Sequence, residues 1–107
     1  MLADEPVARG GQDAEPEPFA YLLASLGSCT SITLRMYAQR KGWNIGAVNV
    51  SLALHRTKEE MKIERRVTLS GPLSAEQQAK LAEICEKTPV TLVVKAGIDV
   101  RTTLAYA

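Results

Sequence analysis

The stretch from Pro18 to Ala38 constrains the fold of this chain more than any other, because it is apolar or small on every side of a predicted helix. Its sequence is PFAYLLASLGSCTSITLRMYA, in which Arg35 is the one charged residue. A helix that is hydrophobic all round has to be surrounded by other elements. The chain has 107 residues, enough for one domain with a modest core. A homodimer is therefore the expected way of covering this helix.

The two ends of the helix carry clear signals, and its middle is open to two interpretations. Pro18 suits the first helical turn, and Lys41-Gly42 supplies a cation followed by a C-cap glycine. At Gly27-Ser28-Cys29 the helix either continues or breaks and restarts with Ser28 as N-cap. A continuous helix loses about 1 kcal/mol of stability because it contains a glycine. A restart would place Cys29 in a first turn, where the helix dipole lowers the pKa of a thiol. Otherwise Cys29 is a small packed residue.

The charge distribution excludes some classes of protein. A formal net charge of +1 argues against a protein held to nucleic acid mainly through phosphate contacts. Residues 1–20 hold five carboxylates against Arg9, a net charge of −4. We therefore expect residues 1–17 to form an acidic, irregular leader and residues 18–107 to form a single domain. The leader lacks the apolar core of a signal peptide and no run is long enough to cross a membrane, so a cytoplasmic protein without membrane contact is expected.

The chain contains two cysteines, Cys29 and Cys85. Without a secretion signal they are expected to be reduced thiols, and such a pair is more often reactive than structural. Two cysteines 56 positions apart make no zinc motif, and the single histidine, His55, has no partner. Neither a metal nor an organic cofactor is expected.

After Gly42 the apolar period changes from that of a helix to that of a strand. Apolar and polar residues alternate over residues 48–55 and again over 61–69, which predicts an antiparallel hairpin. His55 falls in the polar row and is expected to be solvated. Arg65 stands in the apolar row, where a guanidinium either is paired structurally or points into a polar site. Otherwise the row leaves the core near Arg65, or the side chain reaches water along its stem.

The last third of the chain is predicted to form a helix and more strand. Ser74 and Gln77 make a capping box, and apolar residues then recur on one helix face that includes Cys85, so this thiol is expected to point at the core. Residues 90–94 and the alternating residues 98–104 are predicted to be strands. The order of elements indicates an α+β domain in which helices cover one face of a mostly antiparallel sheet.

Several segments resemble the OsmC/Ohr family of bacterial thiol peroxidases, and its OsmC-like branch most closely. The main one is Pro18–Trp43, PFAYLLASLGSCTSITLRMYAQRKGW. The resemblance continues through Ile63-Glu64-Arg65 and Leu73–Gln77 to Pro89-Val90, and covers approximately residues 4–104. It implies an OsmC-like fold, in which an antiparallel sheet wraps long central helices in an intertwined homodimer.

The resemblance also implies a chemistry. In this family a low-pKa cysteine attacks the O–O bond of an organic hydroperoxide, and a second cysteine captures the resulting sulfenic acid as a disulfide that a dithiol reduces. Cys29 matches the peroxidatic position, and Cys85 is the candidate resolving cysteine, expected to share a pocket with Cys29 without being bonded to it. Arg65 is the candidate support for the Cys29 thiolate, since it is the one cation in an apolar strand row. The expected partners are a second copy of the chain, an organic hydroperoxide or other apolar small molecule, and a dithiol reductant.

Some features depart from the family pattern. Thr88 stands where the resolving cysteine usually precedes Pro-Val, Ala20 stands where many members have a carboxylate, and the leader offers little that matches the strand carrying the family's catalytic arginine. Two hypotheses follow. In the first, the chain is a thiol-dependent peroxidase that reduces organic hydroperoxides through Cys29 in oxidative or osmotic stress defence. In the second, it is an OsmC-like dimer that lacks part of the catalytic machinery and binds a ligand or senses redox change.

Overall fold

The computed structural model describes residues 17–106, so nearly all of the predicted leader lies outside the described residues. In the described part, α1 contacts β1, α2 and α3, and the two strands form one antiparallel sheet. The architecture is therefore α+β with an antiparallel sheet, as predicted. The elements in chain order are α1 (Pro18–Lys41), β1 (Val48–Arg56), β2 (Met61–Leu69), α2 (Ala75–Cys85) and α3 (Pro89–Ala96).

Helix α1 begins and ends at the signals in the sequence. Pro18 occupies its first turn, after an extended backbone conformation at Glu17. At the other end Gly42 has φ = 72°, a left-handed conformation that glycine adopts without a Cβ clash, and its N–H donates to the carbonyl oxygen of Gln39. Lys41 in the last turn interacts favourably with the negative end of the helix dipole.

The helix runs continuously through Gly27-Ser28-Cys29, so the alternative with a restart at Ser28 is wrong. The Ser28 hydroxyl donates to the carbonyl oxygen of Ser25 at 3.2 Å, a bond within the helix. Gly27 faces β1, and a Cβ atom in its place would lie 2.8 Å from Leu52 Cδ1. The glycine thus lets helix and strand approach closely. Cys29 lies in the middle of α1, beyond the reach of a dipole effect that acts over the first turn.

The strands β1 and β2 form the predicted hairpin, in a register that places Leu52 opposite Arg65. In β1 the predicted apolar row is half-buried and the polar row is exposed. His55, on the polar row, is 48% exposed in its side chain and lies 3.3 Å from the Glu64 carboxylate. Its predicted solvation is therefore confirmed.

Helix α2 starts at the predicted capping box. The Ser74 hydroxyl accepts the Gln77 N–H at 3.1 Å, and the Gln77 side chain accepts the Ser74 N–H at 2.9 Å. Its last residue, Cys85, is buried, as predicted from the helix periodicity.

The strand predicted over residues 90–94 is wrong, because these residues belong to α3. The Thr88 hydroxyl accepts the Thr91 N–H at 3.4 Å, which makes Thr88 the N-cap of the helix, and Pro89 stands in its first turn. The β-branched composition of the segment favours a strand, but this helix start and the packing of Thr91 outweigh that preference.

The strand predicted over residues 98–104 is also wrong for the described chain, in which residues 97–106 have neither helix nor strand structure. Ile98, Val100 and Leu104 are 70%, 83% and 93% exposed. An extended segment becomes a strand only by pairing with a neighbour, and the sheet described here consists of β1 and β2 alone.

The buried core lies between the second half of α1, the loop after it and α2. Its members are Leu34, Ala38, Ile45, Leu81 and Cys85, and partly buried residues of the hairpin pack against them. Within the described chain, the other elements bury only one side of α1. Buried positions recur every four residues from Leu26 to Ala38, whereas Ile32 and Met36 on the opposite side are 59% and 54% exposed.

Candidate functional site

Arg65 on β2 reaches into the space between the three helices. Its side chain is only 11% exposed, and its Nη1 atom donates to the hydroxyl oxygens of Thr30, at 2.9 Å, and Thr91, at 2.7 Å. Its Nη2 atom donates to the carbonyl oxygen of Cys85 at 2.9 Å. The alternative in which Arg65 reaches water along its stem is therefore excluded. The guanidinium is paired inside the protein by oxygen atoms from α1, α2 and α3.

Three buried threonines complete a polar network around this guanidinium. Thr30, Thr88 and Thr91 are 0%, 0% and 3% exposed. Thr88 and Thr91 share a hydrogen bond of 2.5 Å between their hydroxyl oxygens, and the Thr30 hydroxyl donates to the carbonyl oxygen of Leu26 at 2.7 Å. Buried hydroxyls require such partners. We call Thr30, Thr88 and Thr91 the threonine cluster.

Glu86 and Lys95 extend the network towards the surface. The Glu86 carboxylate lies 3.6 Å from Arg65 Nη2 and accepts a hydrogen bond from the Lys95 ammonium group. The hydrogen bond from Lys95 lowers the pKa of the Glu86 carboxyl group, as do the charges of Lys95 and Arg65. Both Glu86 and Lys95 are well exposed, so solvent weakens this outer pair.

Cys85 lines a pocket of about 450 Å³ between β2 and α2. Burial raises the pKa of its thiol, and the positive charge of Arg65 offsets part of that rise. At 8% exposure the thiol packs in the core. Cys29 is not among the residues that line this pocket.

Cys29 is partly exposed and free of any disulfide. It follows Leu22 by seven positions and Leu26 by three, which places it along one side of α1 with them. These two leucines line a second pocket, of about 480 Å³, between α1, the hairpin and α3. Its other lining residues are Leu54, Met61, Lys62, Ile63, Arg65, Glu86, Thr91, Val94 and Lys95.

The second pocket has an apolar body and a polar end. Leucine, isoleucine, valine and methionine side chains form most of its wall, and Lys62 and members of the Arg65 network form the rest. Such a combination is typical of sites for small organic molecules. We call it the α1–α3 pocket.

Comparison with known proteins gives the family. The family model described as OsmC-like protein matches residues 10–103. This chain belongs to the OsmC-like protein family. Its described fold, with a long cysteine-bearing helix against an antiparallel hairpin, agrees with that membership.

Three solved structures share the OsmC-like fold at 16–19% sequence identity. A Psychrobacter arcticus protein named for the osmotic stress induced and detoxification response has 18% identity and a TM-score of 0.73 over 84% of this chain and 68% of its own. An organic hydroperoxide resistance protein OsmC from Legionella pneumophila has 19% identity and a TM-score of 0.68 over 92% and 75%. A Vibrio cholerae protein named for organic hydroperoxide resistance, with captopril bound in one of its active sites, has 16% identity and a TM-score of 0.62 over 90% and 69%. No curated protein sequence matches the chain.

The two positions at which the sequence departs from the OsmC-like pattern have different surroundings. Thr88 is fully buried and belongs to the threonine cluster, so its hydroxyl serves packing and helix capping. Ala20 lies in the first turn of α1.

Among residues 17–106 no cluster of side chains could hold a metal ion, and no helix is long and apolar enough to cross a membrane.

The sequence marks Arg65 as unusual but does not indicate most of its partners. Thr91 falls in the segment predicted to be a strand, and Thr30 lies inside an apolar stretch. Thr88 is predicted to lie on the same helix face as Cys85, and its role as the N-cap of a further helix is not predicted. The one available signal was the Thr88-Pro89 pair, which marks a helix start and would have placed Thr91 one turn into α3.

Proposed function

We propose that this chain is a thiol-dependent peroxidase that reduces organic hydroperoxides in cytoplasmic stress defence, with Cys29 as the attacking thiol. The proposal is carried by Cys29, which is partly exposed and lies, by helix periodicity, on the same side of α1 as Leu22 and Leu26. These two leucines line the α1–α3 pocket, although Cys29 itself is not among its lining residues. The apolar wall suits the organic part of such a peroxide. Membership of the OsmC-like family supports this assignment.

In the proposed reaction the Cys29 thiolate attacks one peroxide oxygen. The O–O bond breaks, the cysteine is oxidised to the sulfenic acid, and the organic group leaves as an alkoxide that takes up a proton. The thiolate is the reactive form, so a neighbouring positive charge favours the step. Arg65 is the proposed source of that charge, because its guanidinium binds the hydroxyl of Thr30, the residue after Cys29.

The names of the relatives agree with this role. Two of them are named for organic hydroperoxide resistance, and one of these holds captopril in an active site. Captopril is a small organic thiol. A site of the same fold in this chain is proposed to accept an organic hydroperoxide and, afterwards, a thiol reductant such as a dithiol.

The active form is proposed to be a homodimer. Within the described residues, the side of α1 that carries Ile32 and Met36 is uncovered, and the apolar residues of the 98–104 segment are exposed. A second copy of the chain would cover both surfaces.

The direct test is consumption of cumene hydroperoxide by the reduced protein, with a thiol reductant in excess. We expect the wild-type protein to consume the peroxide and Cys29→Ser to consume none. Ser28→Ala is the matched control, since it changes the adjacent exposed helix position. Equal rates for the wild type and Cys29→Ser would refute the proposal.

A ligand-binding or redox-sensing dimer is the second candidate, and one observation favours it. The Thr88 position, which the family resemblance associates with a resolving cysteine, holds a fully buried threonine. Thiol titration after peroxide treatment distinguishes the candidates. Catalytic turnover supports the peroxidase, a single stoichiometric loss of Cys29 thiol supports the sensor, and an unchanged thiol count supports the binding protein.

A further inference from the structure

The placement of the two cysteines bears on how an oxidised Cys29 is returned to the thiol. The chain contains only Cys29 and Cys85, and both are free. An intrachain disulfide would therefore have to join these two residues. Such a bond requires Cα atoms within about 7 Å and converging Cα–Cβ directions.

By ideal helix geometry, Cys29 and the cluster that contains Cys85 lie on different sides of α1. Cys85 packs in the core cluster with Leu34 and Ala38 of that helix. Cys29 precedes Leu34 by five positions, which corresponds to about 140° around the helix and about 7.5 Å along its axis. It precedes Ala38 by nine positions, or about 180° and 13.5 Å. The helix itself thus separates the Cys29 side chain from the cluster that contains Cys85.

The Arg65 network holds this separation in place. The guanidinium donates to Thr30 on α1 and to the Cys85 carbonyl oxygen at the end of α2, so it lies between the two segments that a disulfide would join. Unwinding the end of α2 would break the bond to Cys85 and disturb Thr88, which caps α3 and is fully buried. A buried guanidinium would then lose a partner, which is unfavourable.

The Cys85 thiol is also a poor nucleophile where it stands. It is only 8% exposed, and burial raises its pKa, so little thiolate is present at neutral pH. Thiol–disulfide chemistry proceeds through the thiolate. Cys85 is therefore unsuited to attack an oxidised Cys29, because of where it lies, how little of it is exposed and how little of its thiol is ionised.

We propose that this chain works as a one-cysteine peroxidase, in which an external thiol, and not Cys85, resolves the oxidised Cys29. The inference rests on the proposed peroxidase function. An external thiol attacks the sulfur of the Cys29 sulfenic acid, the S–O bond breaks, water leaves, and a mixed disulfide forms. A second external thiol group, on the same dithiol or on another molecule, attacks the mixed disulfide, releasing the Cys29 thiolate and an external disulfide. Each turnover reduces one hydroperoxide and oxidises two external thiol groups.

The experiment uses the full chain with cumene hydroperoxide as the oxidant, and with either dithiothreitol or glutathione as the only reductant. The variants are Cys85→Ala, which keeps the core position apolar, and Cys29→Ser. We expect the wild type and Cys85→Ala to turn over within about twofold of each other and Cys29→Ser to be inactive. After one equivalent of peroxide and limiting glutathione, peptide mapping should find glutathione on Cys29 of the wild-type protein.

Two results would overturn the one-cysteine mechanism while leaving the peroxidase in place. One is a Cys29–Cys85 disulfide, within or between chains, formed as fast as the peroxide is consumed. The other is a loss of turnover of more than about tenfold in folded Cys85→Ala. If Cys85→Ala fails to fold, the peptide map of the wild-type protein shows by itself which thiol bonds to the oxidised Cys29. A wild-type protein that consumes no peroxide and keeps Cys29 reduced would instead refute the proposed function itself.

Discussion

Arg65 binds the carbonyl oxygen of Cys85, so a side chain from β2 caps the C-terminal end of α2. The hydrogen bond is 2.9 Å long, and α2 has no basic residue of its own in its last turn. The last carbonyl groups of a helix have no partner within it, and a cation placed there is favourable. The hairpin and the cysteine-bearing end of α2 are thereby fixed to each other.

The threonine cluster is expected to contribute to stability through Thr91. Replacing it with valine keeps the shape of the side chain but removes an acceptor from Arg65 and a partner from Thr88. We expect Thr91→Val to lower the free energy of unfolding by about 1–3 kcal/mol, since buried polar groups are left unpaired. Urea denaturation measures the loss. Thr68→Val, at an exposed position of β2, is the control and should change it by less than about 0.5 kcal/mol. Equal losses in the two variants would contradict this role of Thr91.

Removing the Arg65 charge is expected to make Cys29 less reactive. A positive charge within about 4–6 Å of a thiol favours its ionised form. We therefore expect Arg65→Met to slow alkylation of Cys29 at neutral pH. Arg66→Met changes the neighbouring exposed residue of the same strand and is the control. If Cys29 is alkylated at the same rate in the wild type and both variants between pH 5 and 9, Arg65 has only a structural role.

The two thiols are expected to differ in their rates of alkylation. Cys29 is partly exposed, whereas Cys85 is buried and its thiol pKa is raised by burial. At pH 8 we expect iodoacetamide to modify Cys29 at least about tenfold faster than Cys85, as measured by mass spectrometry of the peptides. In urea, where both thiols are solvated, the rates should converge. Faster modification of Cys85 in the folded protein would show that its burial is not maintained in solution.

The raised pKa of Cys85 also predicts a dependence of stability on pH. The unfolded chain loses this proton at the ordinary thiol pKa, about 8.5, whereas the folded protein retains it to higher pH. Between the two pKa values the unfolded state binds fewer protons, so stability is present below the unfolded pKa and is lost as pH rises towards the folded one. Denaturation from pH 7 to 10 under reducing conditions should show a steeper loss for the wild type than for Cys85→Ala. Parallel curves would refute the contribution of Cys85.

The uncovered side of α1 predicts a dimer, and a single charged substitution on that side is expected to weaken it. Ile32 is 59% exposed within the described chain, although an apolar helix favours burial on all sides. We expect the wild type to sediment as a dimer at micromolar concentration and Ile32→Glu to weaken this association. Glu59→Lys, in the exposed hairpin turn, is the control and should leave it unchanged. Sedimentation of the wild type as a folded monomer at that concentration would contradict this prediction.

Local chemistry was enough to predict much of the fold, and long-range contacts account for what it missed. Pro18, Gly42 and the Ser74 capping box mark helix ends through neighbouring residues, so they can be recognised without the structure. Arg65 was recognisable as an anomaly, but its partner Thr91 lies 26 positions away, and no periodicity links the two. The segment 98–104 has a strand pattern without a strand partner in the described chain, so propensity alone misassigned it.

The connection between α2 and α3 consists of residues 86–88, and the Arg65 guanidinium binds both helices, through the Cys85 carbonyl oxygen and the Thr91 hydroxyl. Opening either helix breaks a hydrogen bond of the guanidinium that the two helices share. Proteins open locally in contiguous cooperative units. Here the backbone amides of α2 and α3 should exchange with solvent as a single cooperative unit that also includes the middle of β2.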